Sequence, residues 1–204
     1  MLTDQKADDM ELVEPSKLDW EKRLVAAALV IESLPEFYEA LSRYLPKIQE
    51  HVSMAFGRMG GETEITRVAI NSQGIVSGVF SALPARRLKQ AQLTDLREYI
   101  KGIKHQDRLE LRNKLMDIGA ETNNLSPDSW YLARFAVAQK FRSSGLSNML
   151  LSRFMEYTQE FDTYSLHVKA DNHRAVAFYR RNNFVPVADQ GNSRYLVMER
   201  KSDN

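Results

Sequence analysis

Residues 137–147 read VAQKFRSSGLS, which places the end of an apolar strand, a loop of small residues and the start of a helix in direct succession. A helix N-terminus presents backbone N–H groups without acceptors and a partial positive charge, which suits a phosphate group. Gly145 and Ser147 let phosphate oxygens approach, and Arg142 can add a charge-assisted hydrogen bond. The alternative is that the two serines of the loop only cap the helix. The loop by itself leaves both interpretations open.

The elements around this loop alternate between strand and helix patterns. They are a strand over 128–138, a helix from Leu146 to about Glu160, a strand over 164–169, a helix over 173–181 that Asp171-Asn172 start, and strands over 184–187 and 195–200. Strand, helix, strand and helix in this order are typical of an α/β protein.

The N-terminal part predicts helices. A first helix is expected over 17–33, with Trp20 in its apolar, core-facing stripe. A second helix starts near Ser33, and Pro46 should kink it.

A hairpin and a helical insertion follow. The runs 64–70 and 75–83 have strand character, and the turn residues 71–74 between them favour antiparallel pairing. Residues 84–126 then mix leucines and isoleucines with many charges, which predicts an insertion of about two helices between the third and fourth strands.

Composition narrows the class of protein. The chain has 204 residues, 43% of them hydrophobic, so we expect a single domain over 1–204 with a disordered tail over 1–9. Charge is balanced, with 28 Lys plus Arg against 27 Asp plus Glu, so neither nucleic acid nor an anionic membrane is an expected partner. The longest apolar run, 24–31, is too short to span a bilayer, which favours a soluble cytoplasmic protein. There is no cysteine, so disulfides, thiolate zinc sites and a thiol nucleophile are excluded, and no metal is expected.

Two spaced signatures resemble the GCN5-related N-acetyltransferase (GNAT) family. Members carry Gln or Arg, two residues, Gly, one residue, then Gly or Ala between a strand and a helix, and Arg142, Gly145 and Ser147 stand at those positions. The second signature resembles residues 166–172 followed by Ala175, Phe178, Tyr179 and Phe184. The chain departs from the family at Ser147, a small residue that can still donate to phosphate, and at Asn183, which replaces a Gly and still suits a left-handed helix end.

The resemblance implies a fold and a reaction. The fold would be α/β (α+β), with a mixed, mostly antiparallel sheet of about seven strands flanked by helices. The reaction would be transfer of an acetyl group from acetyl-CoA to a small-molecule or peptide amine by direct attack in a ternary complex. The implied coenzyme A contacts are the backbone near Phe135, Ala136 and Val137 for the pantetheine arm, the loop residues Arg142, Ser143, Ser144, Gly145, Leu146 and Ser147 for the diphosphate, and Asn172 and Tyr179 on the last helix.

The resemblance implies a catalytic acid, and a base is needed because the acceptor amine must lose a proton before it attacks. Tyr179 resembles the general acid of the family and could protonate the departing thiolate, although a packed aromatic is the alternative. His167 is the candidate base, with a structural histidine in the sheet as the alternative. Glu62, Glu64 and Asp128 are further carboxylates that could equally be solvated charges.

Other functions remain open at this level. A silent acyl-CoA-binding regulatory module would keep the phosphate loop without catalysis, and an interaction scaffold would use the charged insertion over 84–126. The insertion could cover the acceptor side of the cleft or be a solvated decoration. Pairing of two chains is common in the resembled family, so a homodimer is possible, although no interface signature is visible.

Overall fold

A twisted sheet carries the fold. The computed structural model describes residues 10–120, 125–142, 144–158, 161–187 and 193–202, so the expected tail over 1–9 lies outside the described residues. Within them, the sheet has seven strands: β1 (Met10–Val13), β2 (Ile65–Asn71), β3 (Val76–Pro84), β4 (Trp130–Val137), β5 (Thr163–Lys169), β6 (Val185–Pro186) and β7 (Tyr195–Lys201). Their order is β1-β2-β3-β4-β5-β7-β6, and every neighbouring pair is antiparallel except β4 and β5. The expected mixed, mostly antiparallel sheet is confirmed.

Helices connect the strands. They are α1 (Trp20–Ser33), α2 (Pro35–Ser42), α3 (Ile48–Ala55), α4 (Leu88–Lys101), α5 (His105–Ala120), α6 (Leu146–Tyr157) and α7 (His173–Arg181). Helix α1 begins three residues later than predicted, because Pro15–Lys17 form a 3-10 turn and the carboxylate of Asp19 caps the helix by accepting the N–H of Lys22 at 2.8 Å. The predicted kinked helix is two helices, since Lys47 before α3 adopts a left-handed φ of 62°.

The two faces of the sheet bury separate apolar clusters. Side chains on one face pack against α6 and α7, among them Phe80, Leu132, Leu166 and Met198. Side chains on the other face, among them Val68, Val79 and Ala136, pack against α1, α3 and α5. This division follows from the alternation of side chains along each strand. The result is a sheet between two helical layers.

The segment between β3 and β4 forms the two helices that its composition predicts. Tyr99 of α4 and Leu111 of α5 pack into the cluster on the α1 side of the sheet. Among the described helices, none combines the length and the apolar character needed to cross a membrane.

The only parallel pair in this sheet, β4 with β5, separates along its length. The two fully described strands pair at Trp130 with Tyr164 and at Tyr131 with Ser165, and at no position beyond these. A bulge contributes to the separation: Ser81 pairs with Arg134 and Ala82 with Leu132, so Ala133 is left without a partner on β3. Because a bulge bends its strand and increases the local twist, β4 turns away from β5 after this point. A gap therefore opens between their carboxyl ends.

Candidate functional site

The gap between β4 and β5 opens into a cleft of about 1380 Å³. Its walls come from the carboxyl ends of β4 and β5, the first turns of α6 and α7, the end of α1 with α2, and the insertion helices α4 and α5. The edge of a strand thus faces a large open volume, with two helix N-termini beside it.

Strand β4 directs free backbone groups into the gap. Ala138 donates its N–H to the Ser77 carbonyl on the β3 side at 2.9 Å. Because consecutive residues of a strand turn their backbone groups to opposite neighbours, those of Phe135 and Val137 face the gap. The predicted pantetheine contacts therefore lie at a strand edge that faces the gap, and at this edge the Val137 carbonyl accepts a hydrogen bond from Arg142. The side chain of Phe135 lines the cleft and stacks on Phe178 of α7, with 5.9 Å between ring centroids.

The loop before α6 forms an open helix N-terminus. Gly145 has a left-handed φ of 85°, a conformation that glycine adopts without steric cost, and it is the N-cap of the helix. The N–H groups of Asn148 and Met149 bond to the Gly145 carbonyl. Those of Gly145, Leu146 and Ser147 have no acceptor among the described residues, and no side chain caps the helix. This arrangement can take the oxygens of a phosphate.

Arg142 is held beside this loop. Its Nε donates to the Val137 carbonyl at 2.9 Å, and its Nη2 lies 3.6 Å from the carboxylate of Glu32. Both partners of this ion pair are exposed, so the pair contributes little and can exchange for an anionic ligand.

The other predicted loop residues differ in their placement. Gly145 and Ser147 line the cleft. The side chain of Leu146 is fully buried in the core, so only its backbone can reach a ligand, and the Ser144 hydroxyl donates to the Phe141 carbonyl at 2.7 Å. Ser143 lies outside the described residues. Among the described side chains, Arg142 and Ser147 thus remain as predicted diphosphate contacts.

Helix α7 has well-defined caps at both ends. At its start the side chain of Asn172 accepts the N–H of Ala175 at 3.1 Å, which leaves the amide nitrogen of Asn172 for the cleft. At its end Asn183 has a φ of 63°, as the sequence predicts for the residue that replaces Gly. The Phe184 N–H bonds the Tyr179 carbonyl at 3.0 Å, and the two rings lie 5.7 Å apart, which is a Schellman motif with its apolar contact.

Tyr179 is fixed by this cap and lines the cleft. Its ring also contacts Phe135 and Phe178, with centroids 6.3 and 5.2 Å away. Burial raises the pKa of the Tyr179 phenol above its usual value, so the group keeps its proton at neutral pH. A phenol in this state can act as a proton donor.

His167 lies on β5 and shares a hydrogen bond with Tyr131 of β4. Its Nδ1 is 3.1 Å from the Tyr131 hydroxyl, while its buried Nε2 has no hydrogen-bond partner in the described part of the chain. Burial lowers the pKa of His167 to about 4, so the imidazole is neutral and weakly basic at neutral pH. A buried polar atom without a partner is costly unless a ligand satisfies it.

The three alternative carboxylates lie in different surroundings. Glu64 bonds Arg87 at 2.6 Å, and Asp128 is exposed and does not line the cleft. Glu62 does line the cleft, and its buried carboxylate pairs with Arg134 of β4 at 2.8 Å. No functional role could be predicted from the sequence for Arg134 or for Tyr131. A single Arg in an otherwise apolar strand was the available signal, because a buried guanidinium requires an anionic partner.

No metal site emerges from the parts of the chain that the structure describes, where no group of three or more His, Asp or Glu side chains could hold an ion.

Comparisons with known proteins agree with this geometry. Residues 110–184 match the sequence model of the acetyltransferase (GNAT) family. No curated protein matches the chain in sequence. Solved structures match in fold, and the three that follow are each 20% identical or less, so their likeness shows the fold alone.

Three of these structures cover nearly the whole chain. An acetyltransferase is 20% identical with a TM-score of 0.61, over 95% of this chain and 100% of that one. An N-acetyltransferase from Staphylococcus aureus Mu50 is 15% identical with a TM-score of 0.65, over 93% and 98%. A chain of the NatC complex bound to Gag peptide and CoA is 12% identical with a TM-score of 0.52, over 95% and 98%. Residues 110–184 thus match the acetyltransferase (GNAT) family in sequence, and the chain as a whole shares the fold of solved acetyltransferases.

Proposed function

We propose that the chain transfers the acetyl group of acetyl-CoA to an amine by direct attack in a ternary complex. The observation that carries this proposal is the gap between β4 and β5, which leads from the backbone of Phe135 and the Val137 N–H to the open N-terminus of α6. The gap offers hydrogen-bonding groups for an extended amide chain and the helix end offers donors for its phosphates. When bound, acetyl-CoA would supply an acetyl group already activated as a thioester.

The residues of the cleft take distinct roles in this proposal. The N–H groups of Gly145, Leu146 and Ser147, with Arg142, hold the diphosphate. Tyr179 donates its phenolic proton to the sulfur that leaves. His167, neutral and with an unpartnered Nε2, forms a hydrogen bond with the incoming amine and keeps it near the thioester.

The insertion helices form the acceptor wall of the proposed site. Four leucines of α4 and α5 line the cleft: Leu88, Leu93, Leu96 and Leu115. An amine with an apolar substituent would bury that substituent against them, at about 25 cal/mol per Å² of apolar surface removed from water. Small arylalkyl amines and peptides with an apolar first residue are therefore the proposed acceptors. We also propose that the protein acts in the cytoplasm.

An amine panel tests the function. Thiol release from acetyl-CoA would be measured with benzylamine, aniline, a polyamine and a peptide with an N-terminal leucine. Acetylation of at least one amine is the expected result. Calorimetric binding of acetyl-CoA without any amine-dependent thiol release would instead support the silent acyl-CoA-binding module, and absence of binding would refute both.

A further inference from the structure

Glu62 lines the cleft, and one of its carboxylate oxygens has no hydrogen-bond partner among the described residues. Four carboxylates line the cleft, on Glu32, Glu36, Glu62 and Asp95. Both oxygens of Asp95 are occupied, by Arg58 at 3.2 Å and by the Glu62 N–H at 2.9 Å.

The carboxylate oxygens of Glu36 interact with Lys169 and with the Tyr195 hydroxyl. Glu32 is mostly exposed beside Arg142. Glu62 is only 6% exposed, and its Oε1 makes no hydrogen bond with any described residue.

The surroundings of Glu62 hold it in place. Its backbone N–H is bound by Asp95, and its Oε2 accepts from Nη2 of Arg134 at 2.8 Å. Arg134 itself is fixed, because its Nε lies 3.3 Å from the Tyr38 hydroxyl and its Nη1 donates to the Ala133 carbonyl at 2.7 Å. Because both the backbone N–H and Oε2 of Glu62 are already hydrogen-bonded, the side chain loses little conformational entropy when a ligand binds Oε1.

This carboxylate belongs to the closed end of the gap, where the reacting atoms would meet. Its partner Arg134 follows the bulged Ala133 on β4, three residues after Tyr131, the last residue of that strand that pairs with β5. Burial raises the pKa of Tyr131 and the negative charge of Glu62 raises it further, so the two groups interact. The Tyr131 hydroxyl in turn contacts His167. Glu62, Tyr131 and His167 all line the cleft.

We infer that Oε1 of Glu62 binds the acceptor's ammonium group and takes the proton that the amine must lose before it attacks. The inference rests on the proposed acetyl transfer and assigns the base of that reaction. His167 is a weaker candidate for this role, because its buried imidazole is neutral and offers the ammonium group no opposite charge.

The proton balance of the step is complete without any further reactant. Glu62 takes one proton from the ammonium group, and the nitrogen lone pair that this frees forms the C–N bond to the acetyl carbon. The C–S bond breaks with its electron pair on sulfur, and Tyr179 protonates that sulfur. The attacking nitrogen then loses its second proton, which restores the Tyr179 phenol directly or through water, while Glu62 releases its own proton to solvent.

The test compares two amines that differ in protonation. Benzylamine is an ammonium ion at neutral pH and needs a base, whereas aniline is already neutral. Glu62→Gln keeps a hydrogen-bond acceptor for Arg134 but removes the charge that takes the proton. We expect kcat/KM for benzylamine to fall roughly 100-fold or more, and kcat/KM for aniline to fall much less. Glu36→Gln, which changes another cleft carboxylate to its amide, should leave the ratio of the two values unchanged.

The possible results distinguish the role of Glu62 as the base from the proposed acetyl transfer itself. An equal loss for both amines, or no loss for benzylamine, would overturn the inference while leaving acetyl transfer in place. Acetylation of no amine by the unmutated chain would instead refute the proposed function itself. If Glu62→Gln does not fold, as judged by acetyl-CoA binding, the double variant Glu62→Gln/Arg134→Met removes the unpaired buried charge, and the same change in ratio is expected.

Discussion

Removal of one partner of the buried pair between Glu62 and Arg134 should destabilise the fold strongly. Arg134 is 5% exposed, and its guanidinium has one carboxylate partner at 2.8 Å. In Glu62→Ala that positive charge stays buried without an anion, which typically costs about 3–5 kcal/mol. The total stability of a domain is about 5–15 kcal/mol, so the loss would be a large fraction of the free energy of unfolding.

The same reasoning predicts that replacing Glu62 and Arg134 together lowers the free energy of unfolding much less than replacing either one. Replacement of both residues by methionine removes both charges from the interior, and buried pairs replaced by apolar residues are often neutral or more stable. We therefore expect Glu62→Met/Arg134→Met to recover most of the stability that either single variant loses. Urea unfolding followed by circular dichroism at pH 7 gives the free energies of unfolding for this double-mutant cycle.

An exposed pair of similar geometry is the control. Arg153 and Glu156 on α6 lie 2.7 Å apart, with both side chains more than half exposed, so Glu156→Ala should cost less than about 1 kcal/mol. The reasoning would be refuted if Glu62→Ala cost no more than Glu156→Ala, or if the double variant lost the sum of the two single effects.

Three further changes test separate parts of the site. Tyr179→Phe should lower kcat roughly 100-fold or more with acetyl-CoA affinity unchanged, as calorimetry and thiol release would measure. Gly145→Ala should cost about 1 kcal/mol, since alanine is strained at a φ of 85°, and should also weaken acetyl-CoA binding. Because the pKa of His167 is lowered from 6.5 to about 4, the unfolded chain binds the extra proton between these pH values. The stability of the unmutated chain relative to His167→Gln should therefore be greatest above pH 6.5 and fall as pH decreases through 4, by at most about 3 kcal/mol.

Matched control variants distinguish these effects from a general loss of stability. Gly57→Ala places alanine at a φ of 74° with open space around it, so it should cost similar stability without changing acetyl-CoA affinity. His105→Gln changes an exposed histidine and should not reproduce the pH dependence. Full activity of Tyr179→Phe would remove its assignment as the acid, and equal loss of acetyl-CoA affinity in Gly57→Ala and Gly145→Ala would argue against a phosphate site at α6.

Local patterns predicted most helices and strands, but not which side of each helix is buried. Residues 173–181 form α7 over the predicted range, and Asn183 ends it in the predicted left-handed conformation. In α1, by contrast, Trp20 of the predicted core stripe is 45% exposed, whereas Ala26 and Val30 are fully buried. Periodicity reports that a helix has an apolar face, while the sheet against which it packs determines which side chains reach the core.

Some features of the candidate site could also be predicted from the sequence, and others could not. The phosphate loop could be predicted because its properties are local: a strand end, a glycine with positive φ and a helix start are written in consecutive residues. The sequence could not distinguish Glu62 from the two other candidate carboxylates, because its partner Arg134 is 72 positions away in the chain. No sequence pattern states which buried charges will meet.

The sequence by itself determined the order of helices and strands, the open helix end at Gly145 and the left-handed cap that positions Tyr179, because each depends on dihedral preferences and hydrogen bonds within a few residues. Only the tertiary structure decided that β4 separates from β5 after Tyr131 and that Glu62 faces the resulting cleft. The physical reason is that strand register, the bulge at Ala133 and the pairing of distant charges depend on packing between elements that lie far apart in the chain.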